Sequence, residues 1–169
     1  MPWEWRQQQD ADAKAQADLD AVRWLERPPG MERPVADTRV HVSDPSAPNP
    51  AIGAQAVRVG RTVYVTTQVA VNDSGEIVGA GDLAAQAAQA FHNLTTVLDA
   101  AHAIPSDVVR LTIHVVHYTP EDLPIIRAAG RAFFTVPRPP TVTILGVESL
   151  ERPGLLVGVE AIAVQGGGD

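Results

Sequence analysis

Apolar and polar positions alternate most clearly after residue 55. "AVRVGRTVYV", residues 56–65, sets branched apolar side chains at every second position on both sides of Gly60 and Arg61. That predicts two strands joined by a two-residue hairpin with glycine at its first central position. "NDSGEIVG" follows as a second turn leading to a short strand. The period then lengthens: Leu83, Ala87, Ala90, Phe91, Leu94, Val97 and Leu98 fall on one face of a long helix, with Asp82 as its N-cap. "VVRLTIHVVHY" returns to alternation, with Leu111, Ile113 and Val115 on one side, and predicts a strand. "TPEDLPIIRAAGRAFF" opens a second helix, because Thr119 stands three residues ahead of Asp122 and Pro120 takes the first helical position. Strands at 141–147 and 155–164 complete the order β-β-(β)-α-β-α-β-β. The class is α+β, a mixed sheet with two helices on one face.

Before residue 50 the pattern is different. Residues 4–26 are rich in Ala, Gln, Asp and Glu, and Trp5, Leu19, Val22 and Leu25 form a thin apolar stripe, so one helix is predicted there. It stops at "ERPPG", where Pro28 and Pro29 forbid continuation. Pro34, Pro45, Pro48 and Pro50 make the next stretch an extended linker, and the closing "QGGGD" is flexible by composition. The chain divides into an N-terminal helical extension (1–30), a Pro-rich linker (31–50), a globular domain (51–165) and a tail (166–169). Residues 4–26 either pack on their own domain or a neighbouring subunit, or recruit a protein partner.

Composition narrows the function. With 169 residues, 45% of them hydrophobic, the chain can bury the core of one domain. A net charge of -7 with no basic run argues against a nucleic-acid surface, which needs clustered Lys and Arg. The absence of cysteine excludes disulfides, thiolate nucleophiles and cysteine-ligated metals. The N-terminus has neither a long apolar run nor a cleavage site after one, so no membrane span or signal peptide is expected and cytoplasm is the default location. His114 and His117 lie three apart on a strand and point to opposite faces, so they do not chelate, and no metal is expected. Thr66, Thr112, His114, Val116, Val142, Ile144, Val157 and Val159 give the strands a half-polar character typical of subunit contacts. A homo-oligomer with ligand sites between subunits is the expectation.

"AQAVRVGRTVYVTTQVAV", "AAQAFHNLTTVLDAA", "SDVVRLTIHV", the "FF" before a proline-containing loop, and "GLLVGVEAIAV", in this order and spacing, resemble the RidA/YjgF family over residues 51–164. The resemblance implies a chorismate-mutase-like (YjgF-like) fold, a homotrimer with clefts between subunits, no cofactor, and hydrolysis of small reactive enamines or imines to ketoacids and ammonia. Such chemistry needs a cationic fork for the substrate carboxylate and a positioned water with a proton-moving group beside it.

Family positions carry over unevenly. Aligned without gaps, the substrate-gripping arginine of the family's Pro-Ala-Arg-Ser stretch falls on Val142, which cannot hold a carboxylate; standard 2-aminoacrylate deaminase activity is therefore not expected. The water-orienting glutamate matches Glu160, whose bland alternative is a structural pair with an Arg across a subunit boundary. The family's Ser-Gly-Gln becomes Thr66, Thr67 and Gln68, its cleft tyrosine falls on Gly53, and its second-helix asparagine falls on Arg127. Arg127 and Arg138 could each restore a cation to the cleft or be solvated surface arginines. His114 is the acid/base candidate among the histidines, or else an interface histidine. The expected catalytic residues are Glu160, Thr66 and His114, and the expected substrate-binding residues are Val142, Thr67, Gln68, Gly53, Arg127 and Arg138. Two functions follow: a divergent RidA-like enzyme acting on a small imine, enamine or carbonyl-derived metabolite, in a dedicated biosynthetic pathway; or a non-catalytic metabolite-binding or scaffold trimer. Ribonuclease activity fits poorly with so acidic a chain.

Overall fold

A computed structural model describes residues 14, 39–42 and 53–166. The helix expected at 4–26, most of the Pro-rich stretch and the last three residues lie outside the described residues. Six strands form one sheet: β1 (Arg39–Val42), β2 (Ala56–Val59), β3 (Thr62–Val69), β4 (Val108–Val116), β5 (Thr141–Val147) and β6 (Val157–Val164). Their spatial order is β1-β2-β3-β6-β4-β5. Among the described residues only the β4–β5 pair is parallel, so the sheet is mixed, as the pattern predicts.

The hairpin forms where expected: Gly60 takes a φ of +59° between β2 and β3, a conformation costly for any residue with a Cβ. β1 is the strand the sequence reading missed. Within the stretch read as linker, "RVHV" pairs antiparallel with β2. The short strand expected after "NDSGEIVG" is reduced to one bridge, Val71 to Ile77.

Helix α1 (Leu83–Ala100) starts at Asp82, whose Oδ1 accepts the Ala85 N–H at 3.1 Å. It lies against β3 and β6. Leu94, Val97 and Leu98 are fully buried in one cluster with Leu111, Ile113, Val115, Val157 and Val159. Each such side chain contributes roughly 1.5–3 kcal/mol by leaving water. The second helical segment is broken into a 3-10 turn (Pro120–Asp122), α2 (Leu123–Ala129) and α3 (Arg131–Phe134). Thr119 and Asp122 form the anticipated capping contact, the Thr119 N–H donating to Asp122 Oδ2 at 2.8 Å. The break follows Gly130, where a Cβ would stand 2.6 Å from both Phe91 and Phe134 ring atoms.

Two buried amides fix α1 to the loops at the end of the sheet. Asn93 Nδ2 donates to the carbonyls of Val69 (2.8 Å) and Val71 (2.9 Å). Gln86 donates through Nε2 to Gly154 and Gly79, and its Oε1 accepts the Leu156 N–H at 2.7 Å. We expect Asn93→Ala, which leaves the Val71 carbonyl without its donor while Val69 keeps the Val71 N–H, to destabilise the fold by about 1–3 kcal/mol, read as a lowered urea midpoint at unchanged slope. A loss under about 0.5 kcal/mol would show that water replaces the amide.

Candidate functional site

Side chains alternate across a sheet, so the cross-strand register decides which of the candidate residues can meet. Glu160 on β6 pairs with Thr112 on β4, and Thr112 pairs with Thr143 on β5. One residue along, Ala161 pairs with Leu111, and Leu111 with Val142. Leu111 is fully buried beneath the helices. The first row therefore faces away from the helices and the second faces them. Val142 and Glu160 therefore lie on opposite faces of the sheet. Val157 and Val159 are likewise core residues beneath the helices, not part of a subunit face.

On the open face, a bulge in β3 brings hydroxyls to Glu160. Val65 pairs with Ala161 and Gln68 with Val159, leaving Thr66 and Thr67 together opposite Glu160. Thr67 Oγ1 donates to Glu160 Oε2 at a long 3.5 Å, while Thr66 is exposed. Glu160, Thr112, Tyr64, Ile162 and Arg110 line a recess of about 240 Å³. Arg110 shares this face by alternation, two residues before Thr112; a second irregularity precedes it, where Val108 pairs with Ala163 and Arg110 with Ile162, so Val109 is an extra residue and Val108 is turned to the core. The Arg110 guanidinium has no partner among the described residues. His114 sits two residues beyond Thr112, beside Gly158 and Leu145 in the register. Its Nδ1 is buried without a hydrogen-bond partner among the described residues. Such an atom costs about 1–3 kcal/mol unless a group from outside the chain meets it.

On the helix side, a recess of about 390 Å³ opens between β5 and α2. Its walls are apolar (Ile126, Phe134, Pro140, Val142 and Ile144 among them), and Arg127 is its one charged lining residue. Val142 and Arg127, joined by sequence reasoning only through the family, are thus neighbours in space. The other expected binders are elsewhere. Gln68 is buried on the helix side, and its Nε2 donates to the Thr66 carbonyl at 3.0 Å. Gly53 is exposed at a φ of +85°, and Arg138 is exposed on the approach to β5; neither lines these recesses. Tyr64 and Arg110 went unrecognised in the sequence. Tyr64 looks like an ordinary strand aromatic, and Arg110, though it alternates with Thr112, looks like an ordinary solvated arginine near the start of a strand.

Two small residues hold the Glu160 surroundings in place. A Cβ at Gly158 would come within 2.5 Å of Thr67 Cγ2, so Thr67 fits beside Glu160 because position 158 has no side chain. Gly158→Ala should therefore destabilise the protein by about 1–3 kcal/mol. Adding Thr67→Ser, which deletes the obstructing methyl and keeps the hydroxyl, should recover most of that loss in a denaturation double-mutant cycle. Strict additivity of the two changes would place the strain elsewhere.

Comparison with known proteins gives a consistent result. A family model described as Endoribonuclease L-PSP matches residues 46–165. A 2-iminobutanoate/2-iminopropanoate deaminase of Dermatophagoides farinae is 37% identical over 125 residues, spanning 73% of this chain and 94% of that protein. The protein of the same name from Mus musculus is 34% identical over 118 residues, covering 69% of this chain and 84% of its own. Among solved structures, RidA from an Antarctic Psychrobacter superposes with a TM-score of 0.67 at 26% identity, over 75% of this chain and 99% of its own. The YjgF gene product of E. coli gives 0.64 at 29% identity, over 74% and 98%. These neighbours share the mixed sheet with its helices on one face, the expected chorismate-mutase-like architecture.

Proposed function

The chain belongs to the RidA/YjgF (endoribonuclease L-PSP) family, and from that premise we propose that it is a cofactor-independent deaminase of small 2-imino acids whose cleft is completed by a neighbouring subunit. The observation that carries this reading is the recess at the β5 edge, an apolar pocket with one lining cation, Arg127. A 2-imino acid has the matching chemistry: a carboxylate for the guanidinium and a small apolar substituent for Val142 and Ile144. The relatives named as deaminases support the same class of activity.

Glu160 lies on the other face of its own sheet, so within one protomer it cannot serve that recess. In a ring of three copies, the open face of one subunit lies against the β5 edge of the next and supplies Glu160 to it. This assembly also covers the half-apolar row of Tyr64, Ile162, Val116 and Leu145, for which no layer exists among the described residues. In the reaction, Glu160 takes a proton from water as its oxygen adds to the imine carbon. The resulting carbinolamine collapses, the C–N bond breaks, and protonated nitrogen leaves as ammonia while the carbon becomes a ketone. Thr67, donating to Glu160 Oε2, orients the carboxylate. His114, two register positions away, is the candidate donor to the departing nitrogen. Arg127 takes over the cationic role that the family alignment denies to Val142.

The test supplies 2-iminopropanoate generated in situ from alanine by an amino-acid oxidase and follows imine loss by semicarbazide trapping. We expect wild-type protein to accelerate that loss. Glu160→Gln should lower kcat roughly 10²-fold or more. Arg127→Gln should raise KM about tenfold with a smaller effect on kcat. Light scattering should give a mass three times that of the 18.0 kDa chain. No acceleration by wild-type protein would remove the deaminase reading, and a monomeric mass would remove the shared cleft.

A further inference from the structure

We propose that the recess at Arg127 continues into an anion-accepting subsite at Arg131, and that the preferred substrate is a 2-imino acid carrying a second carboxylate. The proposal rests on the deaminase reading above and deepens it. A second recess of about 570 Å³ adjoins the first, and Leu123, Arg127 and Phe134 line both, so the two form one groove. Arg131 lines the outer part together with Ala128 and Thr135. Among the described residues no Asp or Glu lines either part. Neither guanidinium makes a hydrogen bond or ion pair with a described residue. A chain of net charge -7 thus places two arginines in one groove without a counterion among the described residues. Like charges so placed repel each other, and a ligand with two negative groups relieves both.

The spacing of the two cations is fixed by packing. Phe134, shared by both recesses, stands edge-on to Phe91 at 6.0 Å and 82°, and Phe91 also meets Phe133 at 5.5 Å. Those rings leave no space for a Cβ at position 130, which only glycine can fill, and Gly130 caps both helices between Arg127 near the end of α2 and Arg131 at the start of α3. The floor between the arginines is therefore rigid and apolar, suited to the short carbon chain joining two carboxylates. The hydrolysis remains balanced as before: water adds at C2, the C–N bond breaks, ammonia leaves, and both carboxylates are unchanged.

The experiment titrates the intact protein with two stable oxo acids, 2-oxoglutarate and 2-oxobutanoate, at low salt by NMR. We expect 2-oxoglutarate to bind about fivefold to tenfold tighter, the gain of one partly exposed charge-assisted contact. Arg131→Gln should erase that preference while leaving 2-oxobutanoate affinity unchanged, and Arg131→Lys should retain part of it. Equal affinities in the wild type, or a preference that survives Arg131→Gln, overturns the subsite. The two readings fail separately. Turnover of 2-iminopropanoate by a protein that binds both oxo acids equally leaves the deaminase reading standing without the subsite. Preference for the diacid without turnover of any imine does the reverse.

Discussion

The pleat of the central strands is the constraint from which the rest follows. Along β6, β4 and β5, every residue is assigned to the helix side or the open side by its register, and the two rows have opposite chemistry. Ala161, Leu111 and Ile113 join α1 in an apolar core, while Glu160, Thr112 and Thr143 make a polar row on the uncovered face. A shift of one residue would exchange the rows and put Glu160 beneath Leu94 and Leu98, where an unpaired carboxylate is prohibitive. The core that stabilises the fold thus also determines where the carboxylate points.

The two irregularities in this ladder lie next to the polar row. In β3 the extra residue sets two threonines against one glutamate, and in β4 it turns Val108 into the core just before Arg110. Bulges of this kind re-aim side chains by bending the strand locally. Gly158 and Thr67 show how tightly the result is packed, since no side chain fits at position 158. Around α1 the same economy applies: Gln86 supplies a donor to the Gly154 carbonyl and Asn93 to that of Val71, and Asn93 adds a second donor to Val69, which also accepts the Val71 N–H.

Much of the fold was legible in the sequence because the strands and α1 follow strict periods with clear punctuation at Gly60, Asp82, Thr119 and the prolines before β5. β1 was not, since four residues of mixed character among prolines carry no periodic signal, and its pairing with β2 is a tertiary fact. The site was legible in parts. Glu160 stood out as a charge in an apolar strand, and Val142 as an apolar residue where the family alignment sets an arginine. Their separation onto opposite faces was hidden because an alignment gives positions along a chain, whereas faces depend on which residue each strand sets opposite another. Arg110 shares the alternation of Thr112 and His114, but the sequence does not distinguish it from a solvated strand arginine; its place beside Glu160 is a cross-strand fact.

Val142 lies on an edge strand and is 42% exposed, while its partner in the ladder, Leu111, is fully buried. Replacing a side chain like Leu111 costs a domain about 2–5 kcal/mol, whereas a surface position changes stability by about 0.5 kcal/mol or less. The exposed wall of the β5 recess and the wall that holds the protein together are therefore two ends of one rung of the ladder, with very different tolerance to change. Sequence drift at the edge can reshape this recess while the scaffold stays intact, which makes β5 the place where the lining can vary most freely.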